Sequence, residues 1–193
     1  MAKGRIVIIS GPSGSGKTTL HKMLLESPRL KGRLVKSISA TTRPQRPGEK
    51  HGRDYIFISM KMFQHKIKAG HFLEWQKVFD NYYGTPKKAA NDLLSLGKHV
   101  LLCIDVKGAK VVHRMFPDAI SIFIKTPSLA VLKERLEARA QDSYQSRSLR
   151  LAIARQELLE AKHYNFQIVN DRLDFAYRQL ESIVMGALGL GGP

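Results

Sequence analysis

Residues 11–18 carry glycines, a lysine and a hydroxyl side chain in the spacing G-x-x-x-x-G-K-[ST]. A short apolar run at residues 5–10 precedes them, and a helical pattern follows from Lys17 onwards. Glycines allow successive backbone N–H groups to turn inward around an anion, and the following helix adds the positive end of its dipole. Lys17 can then reach the β- and γ-phosphates of a nucleotide, and the Thr18 hydroxyl can ligate Mg²⁺. The segment therefore predicts binding of a nucleoside triphosphate.

Two other glycine motifs are excluded by their spacing. A dinucleotide-binding fingerprint would require glycine at the position of Thr19. A nucleophile elbow of the G-x-S-x-G type would require glycine at the position of Ser15. The triphosphate loop is the motif that agrees with these residues.

A second anion site is predicted within residues 39–49, where Arg43 and Arg46 stand beside two prolines and a glycine. Proline stiffens a loop, so less entropy is lost when the guanidinium groups close on an oxyanion. Tyr55 and Tyr83 could donate O–H hydrogen bonds to the same anion. Because the chain already has one phosphate site, a second one indicates an acceptor that is itself phosphorylated.

Glu74 is a carboxylate between two apolar side chains, Leu73 and Trp75. On a strictly alternating strand it lies on the same face as Phe72 and Gln76. A carboxylate accepts two parallel hydrogen bonds from a base edge with adjacent N–H donors, as in guanine. An exposed strand glutamate is the alternative, but the neighbouring phosphate site favours a residue that reads the base of the acceptor.

Asp105 ends a predicted buried strand, and two roles are open for it. An acidic residue at this place in a phosphate-loop protein often faces Mg²⁺ or the second substrate. The same residue is equally well placed to cap the N-terminus of the helix that follows.

Several arginines follow in one helical region. Arg135 and Arg139 are four residues apart and share a helix face, and Arg147 and Arg150 come next. Exposed helical arginines usually serve solubility. In a phosphoryl-transfer enzyme, however, guanidinium groups delivered by closure stabilise the charge on the transferring group and exclude water. We therefore predict a mobile, arginine-bearing lid.

The remaining sequence alternates apolar runs with amphipathic stretches, which is typical of a parallel sheet covered by helices. Between residues 39 and 85 the pattern is shorter, more aromatic and more polar, which indicates a small mixed β insertion at the carboxyl edge of the sheet. Predicted core strands lie at 5–10, 34–38, 99–105, 119–125 and 166–169, and predicted helices at 17–26, 86–96, 108–116, 128–140, 145–164 and 174–187. We expect core segments at 1–38, 89–127 and 151–188, an insertion at 39–88, a lid at 128–150 and a flexible tail at 189–193.

The charge balance is unusual: the 193 residues include 32 Lys and Arg against 16 Asp and Glu, a net charge of +16. Such a surface attracts polyanions. A solubilising, phosphate-friendly surface is the favoured interpretation, and dedicated nucleic-acid binding is the alternative. The sequence has no apolar stretch long enough to span a membrane, no room for a signal peptide before the first predicted strand, and a single cysteine, Cys103. We expect a cytoplasmic protein without an intrachain disulfide.

In order and in content, these motifs resemble the guanylate kinase family from about residue 5 to about residue 183. The matching segments are SGPSGSGKT at 10–18, TTR at 41–43, RPGE at 46–49, GRDY at 52–55, FLEW at 72–75, NYYGT at 81–85, ID at 104–105, RLE at 135–137 with Arg139, and IVND at 168–171. The resemblance implies an α/β fold with a P-loop parallel-sheet core, a small mixed GMP-binding insertion and a helical lid. It also implies transfer of the γ-phosphate of ATP to GMP or dGMP with Mg²⁺, giving ADP and the corresponding diphosphate.

The resemblance also implies roles for individual residues. ATP would contact Gly11, Pro12, Ser13, Gly14, Ser15, Gly16, Lys17, Thr18, Thr19 and Asn170, with Asn170 near the adenine and Thr18 as the metal ligand. The guanine base would contact Ser39, Glu74, Thr85 and Asp105, and the GMP phosphate would contact Arg43, Arg46, Tyr55 and Tyr83. Lys17, Arg43, Arg135, Arg139 and Arg150 would act on the transferring group.

The sequence departs from the family pattern at three positions. Cys103 stands where an acidic residue is usual, and Ala138 and Ala140 replace glycines of the lid. Guanylate-kinase-like domains also include non-catalytic modules that bind phosphoproteins, and this is the alternative function. The intact lysine and threonine of the phosphate loop argue against it. A homodimer is a further possibility that the sequence leaves open.

Overall fold

The computed structural model describes residues 3–78, 80–137 and 144–190, with only the backbone of residues 144–148. The chain divides into two compact units. Taken over the described residues, the first unit lies within Met1–Ile6, Gly32–Leu102 and Lys110–Ala119, and the second within Val7–Lys31, Cys103–Ala109 and Ile120–Pro193. The expected division into core, insertion, lid and tail stays a prediction.

The larger sheet has five strands. From one edge to the other they are β2 (Leu34–Lys36), β7 (His99–Cys103), β1 (Ile6–Ser10), β8 (Ile120–Lys125) and β9 (Phe166–Val169). The pairings of β2 with β7, β1 with β8, and β8 with β9 are parallel. All of β1 is buried, as expected of a strand that is covered on both faces. The parallel core predicted from the sequence is confirmed, although its strands are up to two residues shorter than expected.

The helices follow the predicted pattern closely. The first one has the predicted bounds, and the sixth ends at Leu159, where the 3-10 helix Glu160–His163 replaces the last turns of the predicted helix. The last three residues of the predicted helix at 128–140 lie outside the described residues. The α-helices of the described residues are α1 (Lys17–Glu26), α2 (Met60–Lys68), α3 (Lys87–Ser95), α4 (Val106–Met115), α5 (Leu129–Glu137), α6 (Tyr144–Leu159) and α7 (Leu173–Ala187).

A second, four-stranded sheet lies in the first unit. From one edge to the other its strands are β4 (Ile56–Phe57), β3 (Ala40–Thr41), β6 (Asn81–Pro86) and β5 (Phe72–Val78). It is mixed, as the sequence predicted, because β3 pairs with β4 in parallel and with β6 in antiparallel orientation. The strand β3 was not predicted, since two residues are too few to show a periodic pattern.

Helix α2 covers one face of this smaller sheet. The buried Phe63 ring stacks on Phe72 with 4.4 Å between ring centroids and lies 5.4 Å from the ring of Tyr82. A Cβ atom at Gly84 would lie only 2.9 Å from Phe72 and 3.1 Å from Phe63. Glycine in β6 therefore lets the aromatic side chains approach the sheet backbone closely.

A register shift in β5 corrects the predicted alternation of this strand. Phe72 lies opposite Pro86 and Glu74 lies opposite Thr85, so two residues of β5 oppose one step of β6. Phe72 consequently shares the α2 side of the sheet with Trp75, whereas Glu74 lies on the other side. The expectation that Phe72 and Glu74 point the same way was wrong, because the irregularity between them reverses the alternation.

None of the helices within the described residues is long and apolar enough to span a membrane.

Candidate active site

The phosphate loop connects β1 to α1 in the second unit. Gly16 is the N-cap of α1 with φ of +87°, and a Cβ atom there would lie 2.2 Å from Nδ2 of Asn170. Gly11 has φ of +146°, and its Cβ would lie 2.1 Å from the carbonyl oxygen of Ile124. Both positions therefore require glycine for backbone conformation and for space.

The N-terminus of α1 is suited to anions. Its first turn contains no acidic residue, so the helix dipole and its first N–H groups are not neutralised locally. Lys17 Nζ donates a hydrogen bond to the Pro12 carbonyl oxygen at 3.2 Å, which holds the ammonium group against the loop. Ser15 is buried, and its Oγ has no hydrogen-bond partner among the described residues. A bound phosphate oxygen would satisfy this hydroxyl.

Asn170 connects the loop to a predicted catalytic arginine. Its buried side-chain Nδ2 donates to the Ser15 carbonyl oxygen at 2.8 Å. Arg135, on α5, donates from Nη2 to the Asn170 carbonyl oxygen at 3.0 Å. The structure therefore brings Ser15, Asn170 and Arg135 together, and the contacts of Asn170 and Arg135 with a nucleotide stay predictions.

The residues around the loop fit a magnesium ion that arrives with the nucleotide. Thr18 is exposed on the first turn of α1 and offers a hydroxyl oxygen, which is a suitable ligand for Mg²⁺. Within the described part of the chain, no group of three or more His, Cys, Asp or Glu side chains could hold a metal ion. Mg²⁺ at nucleotide sites takes most of its ligands from phosphates and water, so one protein hydroxyl is consistent with this chemistry.

Asp105 lies between β7 and α4, where it caps the helix. Its Oδ1 accepts a hydrogen bond from the Gly108 N–H at 2.7 Å, and its carbonyl oxygen accepts one from Ala109 at 2.9 Å. The capping role that the sequence left open is therefore present. Burial raises the pKa of the Asp105 carboxyl, and the Gly108 N–H opposes that rise.

Glu157 on α6 is a second carboxylate in the same electrostatic environment, and it was not predicted from the sequence. Burial raises its pKa to about 7, the positive charges of Lys17 and Lys107 oppose the rise, and Asp105 reinforces it. Glu157 follows Arg150 by seven residues, which is about two helical turns, so both face the same side of α6. That spacing is the sequence signal that could have found it.

The face of the smaller sheet opposite α2 carries the predicted guanine-reading pair. Glu74 is only 6% exposed, and its Oε1 accepts a hydrogen bond from Thr85 Oγ1 at 2.6 Å. Tyr83 precedes Thr85 by two residues in β6 and lies on the same face. The Tyr55 ring meets the Tyr83 ring edge-on at 6.0 Å. Glu74 is therefore not the exposed strand glutamate of the alternative interpretation.

Arg43 lies at the edge of the same face. Its guanidinium carbon is 5.5 Å from the Tyr55 ring centroid, and its Nη2 is 2.7 Å from Oε1 of Glu49. Arg46 is exposed in the adjoining loop, and Ser39 is half-buried just before β3. The structure thus gathers Arg43, Tyr55, Glu74, Tyr83 and Thr85 on one face, with Ser39 and Arg46 at its border.

The other predicted residues are distributed differently. Asp105 belongs to the second unit, together with Arg135 and Arg150. Arg150 is half-buried on α6. Arg139, Ala138 and Ala140 lie outside the described residues.

A phosphate loop between the first strand of a parallel sheet and a helix defines a P-loop nucleotide-binding protein. A family model described as guanylate kinase matches residues 3–187. The chain belongs to the guanylate kinase family.

Individual relatives agree with this assignment. The chain is 46% identical over 181 residues to a guanylate kinase from Nitrosospira multiformis, covering 94% of this chain and 85% of that protein. It is 40% identical to a guanylate kinase from Rubrobacter xylanophilus over 193 residues, the full length of both. The crystal structure of guanylate kinase from Anaplasma phagocytophilum superposes with a TM-score of 0.79 at 31% identity, covering 97% of this chain and 88% of that one.

Proposed function

We propose that this protein is a guanylate kinase that transfers the γ-phosphoryl group of ATP to GMP, giving ADP and GDP. The observation that carries the proposal is membership of the guanylate kinase family over residues 3–187. The intact phosphate loop supports a catalytic protein over the non-catalytic phosphoprotein-binding alternative, since a pure binding module has no need of a triphosphate site.

On the ATP side, the loop backbone from Gly11 to Gly16 would surround the phosphates, with Lys17 at the β- and γ-phosphates. Thr18 would face the metal-bound end of the triphosphate. Thr19, the next residue in the first turn of α1, would also contact ATP. Mg²⁺, when bound, neutralises charge on the β- and γ-oxygens. Asn170 would hold the loop through its hydrogen bond to the Ser15 carbonyl oxygen and would lie near the adenine.

On the GMP side, the buried Glu74 would accept hydrogen bonds from the guanine N–H groups, with Thr85 holding the carboxylate in place. Ser39 and Asp105 would complete the recognition of the base. The phosphate would contact Arg43, Arg46, Tyr55 and Tyr83, whose side chains lie at one face of the smaller sheet and its adjoining loop. dGMP would bind in the same way.

Catalysis would depend on positioning and on charge stabilisation, without a covalent intermediate. The attacking group is a phosphate oxygen that is already ionised, so no strong general base is needed. Lys17 and Arg43 would hold the two reacting phosphates, and Arg135, Arg139 and Arg150 would stabilise the negative charge of the transferring group. Closure of the predicted lid would exclude water that could otherwise accept the phosphoryl group. A cytoplasmic location and a homodimer are further parts of the proposal.

The test is a coupled assay of ADP release with ATP, Mg²⁺ and one monophosphate at a time. We expect rapid turnover with GMP, measurable turnover with dGMP, and turnover with AMP or CMP lower by about 100-fold or more, because a site built for guanine donors leaves polar groups unpaired with other bases. Glu74→Gln should lower kcat/KM for GMP by about 100-fold and leave ATP affinity unchanged. Glu134→Gln, an exposed position on α5, is the matched control. Equal rates with GMP, AMP and CMP would refute the base-reading assignment.

A further inference from the structure

Glu49 connects the two arginines that are predicted to bind the GMP phosphate. Its Oε1 lies 2.7 Å from Nη2 of Arg43, and its Oε2 accepts a hydrogen bond from the backbone N–H of Arg46 at 2.9 Å. The Glu49 N–H donates to the Arg46 carbonyl oxygen at 3.1 Å. One carboxylate therefore closes the loop that carries both guanidinium groups.

The guanidinium group of Arg43 is held from several directions. Its Nη1 donates to the Pro44 carbonyl oxygen at 2.7 Å, and its central carbon lies 5.5 Å from the Tyr55 ring centroid and 5.7 Å from that of Phe57. A guanidinium group has five N–H donors, of which these contacts with Pro44 and Glu49 use two. Arg43 can thus bind Glu49 and a phosphate at the same time.

Among the ion pairs of the described residues, Arg43–Glu49 is the one in which both side chains are largely shielded from water. Its side chains are 12% and 21% exposed, against 89% and 56% for the equally short Lys88–Asp92 pair. The hydrogen bond from Arg43, followed by that from the Arg46 N–H, lowers the pKa of the Glu49 carboxyl. Glu49 is therefore ionised at neutral pH, and the shielded pair orients Arg43 more strongly than an exposed pair could.

We propose that Glu49 is a positioning residue for the phosphate of the acceptor: it holds Arg43 against Tyr55 and Phe57 so that the remaining N–H groups of Arg43 point to that phosphate. This inference rests on the proposed function, because it takes GMP as the acceptor. Glu49 does not touch the substrate and acts through Arg43. In a competing geometry, the phosphate must displace Glu49 from Arg43. Loss of the Glu49 carboxylate would then strengthen the binding of GMP, whereas positioning predicts that it weakens this binding.

The first test compares Glu49→Gln and Glu49→Asp with the unmodified protein in steady-state kinetics. Loss of the carboxylate in Glu49→Gln should raise KM for GMP by about tenfold and leave kcat and KM for ATP within about twofold, because the charge-assisted contact orients only the acceptor site. Glu49→Asp retains the charge on a shorter side chain and should restore part of the affinity. Asp92→Asn removes the exposed control pair and should change none of these constants. A fall in KM for GMP in Glu49→Gln would establish displacement and overturn the inference.

The second test separates positioning from a general effect on the loop. Calorimetric titration of Glu49→Gln should show weaker binding of GMP and unchanged binding of guanosine, which lacks the phosphate. In an Arg43→Met background, Glu49→Gln should cause no further loss of GMP affinity. Equal loss of guanosine and GMP affinity, or a full additional loss in the Arg43→Met background, would contradict the inference.

The same experiments distinguish this inference from the proposed function. If the unmodified protein turns over GMP and Glu49→Gln leaves its KM unchanged, the inference alone is wrong. If the unmodified protein neither turns over nor binds GMP, the proposed function is wrong and the inference with it.

Discussion

At the scale of single residues, Glu157 is half-buried, and this desolvation raises its pKa to about 7, although the positive charges of Lys17 and Lys107 stabilise its charged form. Its ordinary value is 4.5. Between these two values the folded protein retains a proton that the unfolded chain has released. The stabilisation by that proton is fully present below the unfolded pKa and is lost as the pH rises through the folded one.

Glu157→Gln removes this titration and should flatten the dependence of stability on pH. The shift corresponds to at most about 3 kcal/mol, and partial solvent access reduces it to about 2 kcal/mol, so the variant should be more stable than the unmodified protein by about 2 kcal/mol near pH 8. Urea unfolding at about pH 5 and about pH 8 measures the difference, which should grow with pH. The exposed Glu134→Gln on α5 serves as the control. A difference between variants that is the same at both pH values would contradict the assignment.

Glu74 illustrates what sequence reasoning at this scale can and cannot supply. Its residue type and its place in an apolar run predicted a base-reading carboxylate. The side chain is buried beside Thr85, and its contact with a base stays a prediction. The predicted orientation relative to Phe72 was wrong because the register shift depends on contacts with β6 and α2, which lie far away along the chain. Glu49 belongs to the RPGE segment at 46–49, but its contact with Arg43 depends on how the loop closes, which the sequence does not specify.

At the scale of elements, the predictable segments are those whose local chemistry decides the structure. The bounds of α1 follow from the glycine N-cap and the helical pattern after it, and they agree with the prediction. Strand β3 was missed, and α6 ends earlier than its pattern suggests, because pairing with β4 and β6 and the 3-10 turn at Glu160–His163 have no local signal.

Gly16→Ala tests how far the phosphate loop depends on its junction with α1. A side chain there must adopt φ of +87° and would meet Nδ2 of Asn170 at 2.2 Å, so we expect destabilisation of about 2 kcal/mol and loss of ATP binding by about tenfold or more. Gly32→Ala is a matched control, because Gly32 has φ of +75° and nothing within 4 Å of its added Cβ. Urea unfolding and calorimetric titration with ATP measure the two effects. Retained ATP affinity in Gly16→Ala would show that the loop tolerates the contact with Asn170.

At the scale of the whole molecule, the net charge of +16 exceeds what two phosphate sites require. Both proposed substrates are anions, and a positive surface raises their local concentration at low ionic strength. At about 1 M salt the screening length falls to about 3 Å, so charges away from the site cease to act on the substrates. The excess charge thus fits the phosphate-friendly surface favoured from the sequence without a dedicated nucleic-acid site.

Reversal of two exposed lysines on α2 tests this interpretation. Lys61→Glu with Lys68→Glu changes the net charge by −2 at each position, from +16 to +12, at residues without a proposed role in the site. We expect KM for GMP and ATP to rise by about twofold at low salt, while kcat and the binding of uncharged guanosine stay the same. The difference from the unmodified protein should vanish at high salt, because screening removes long-range attraction but leaves the short contacts of Arg43 and Lys17 in place. If the difference persisted at high salt, the two lysines would act through local contacts and the surface would have no collective effect on substrate capture.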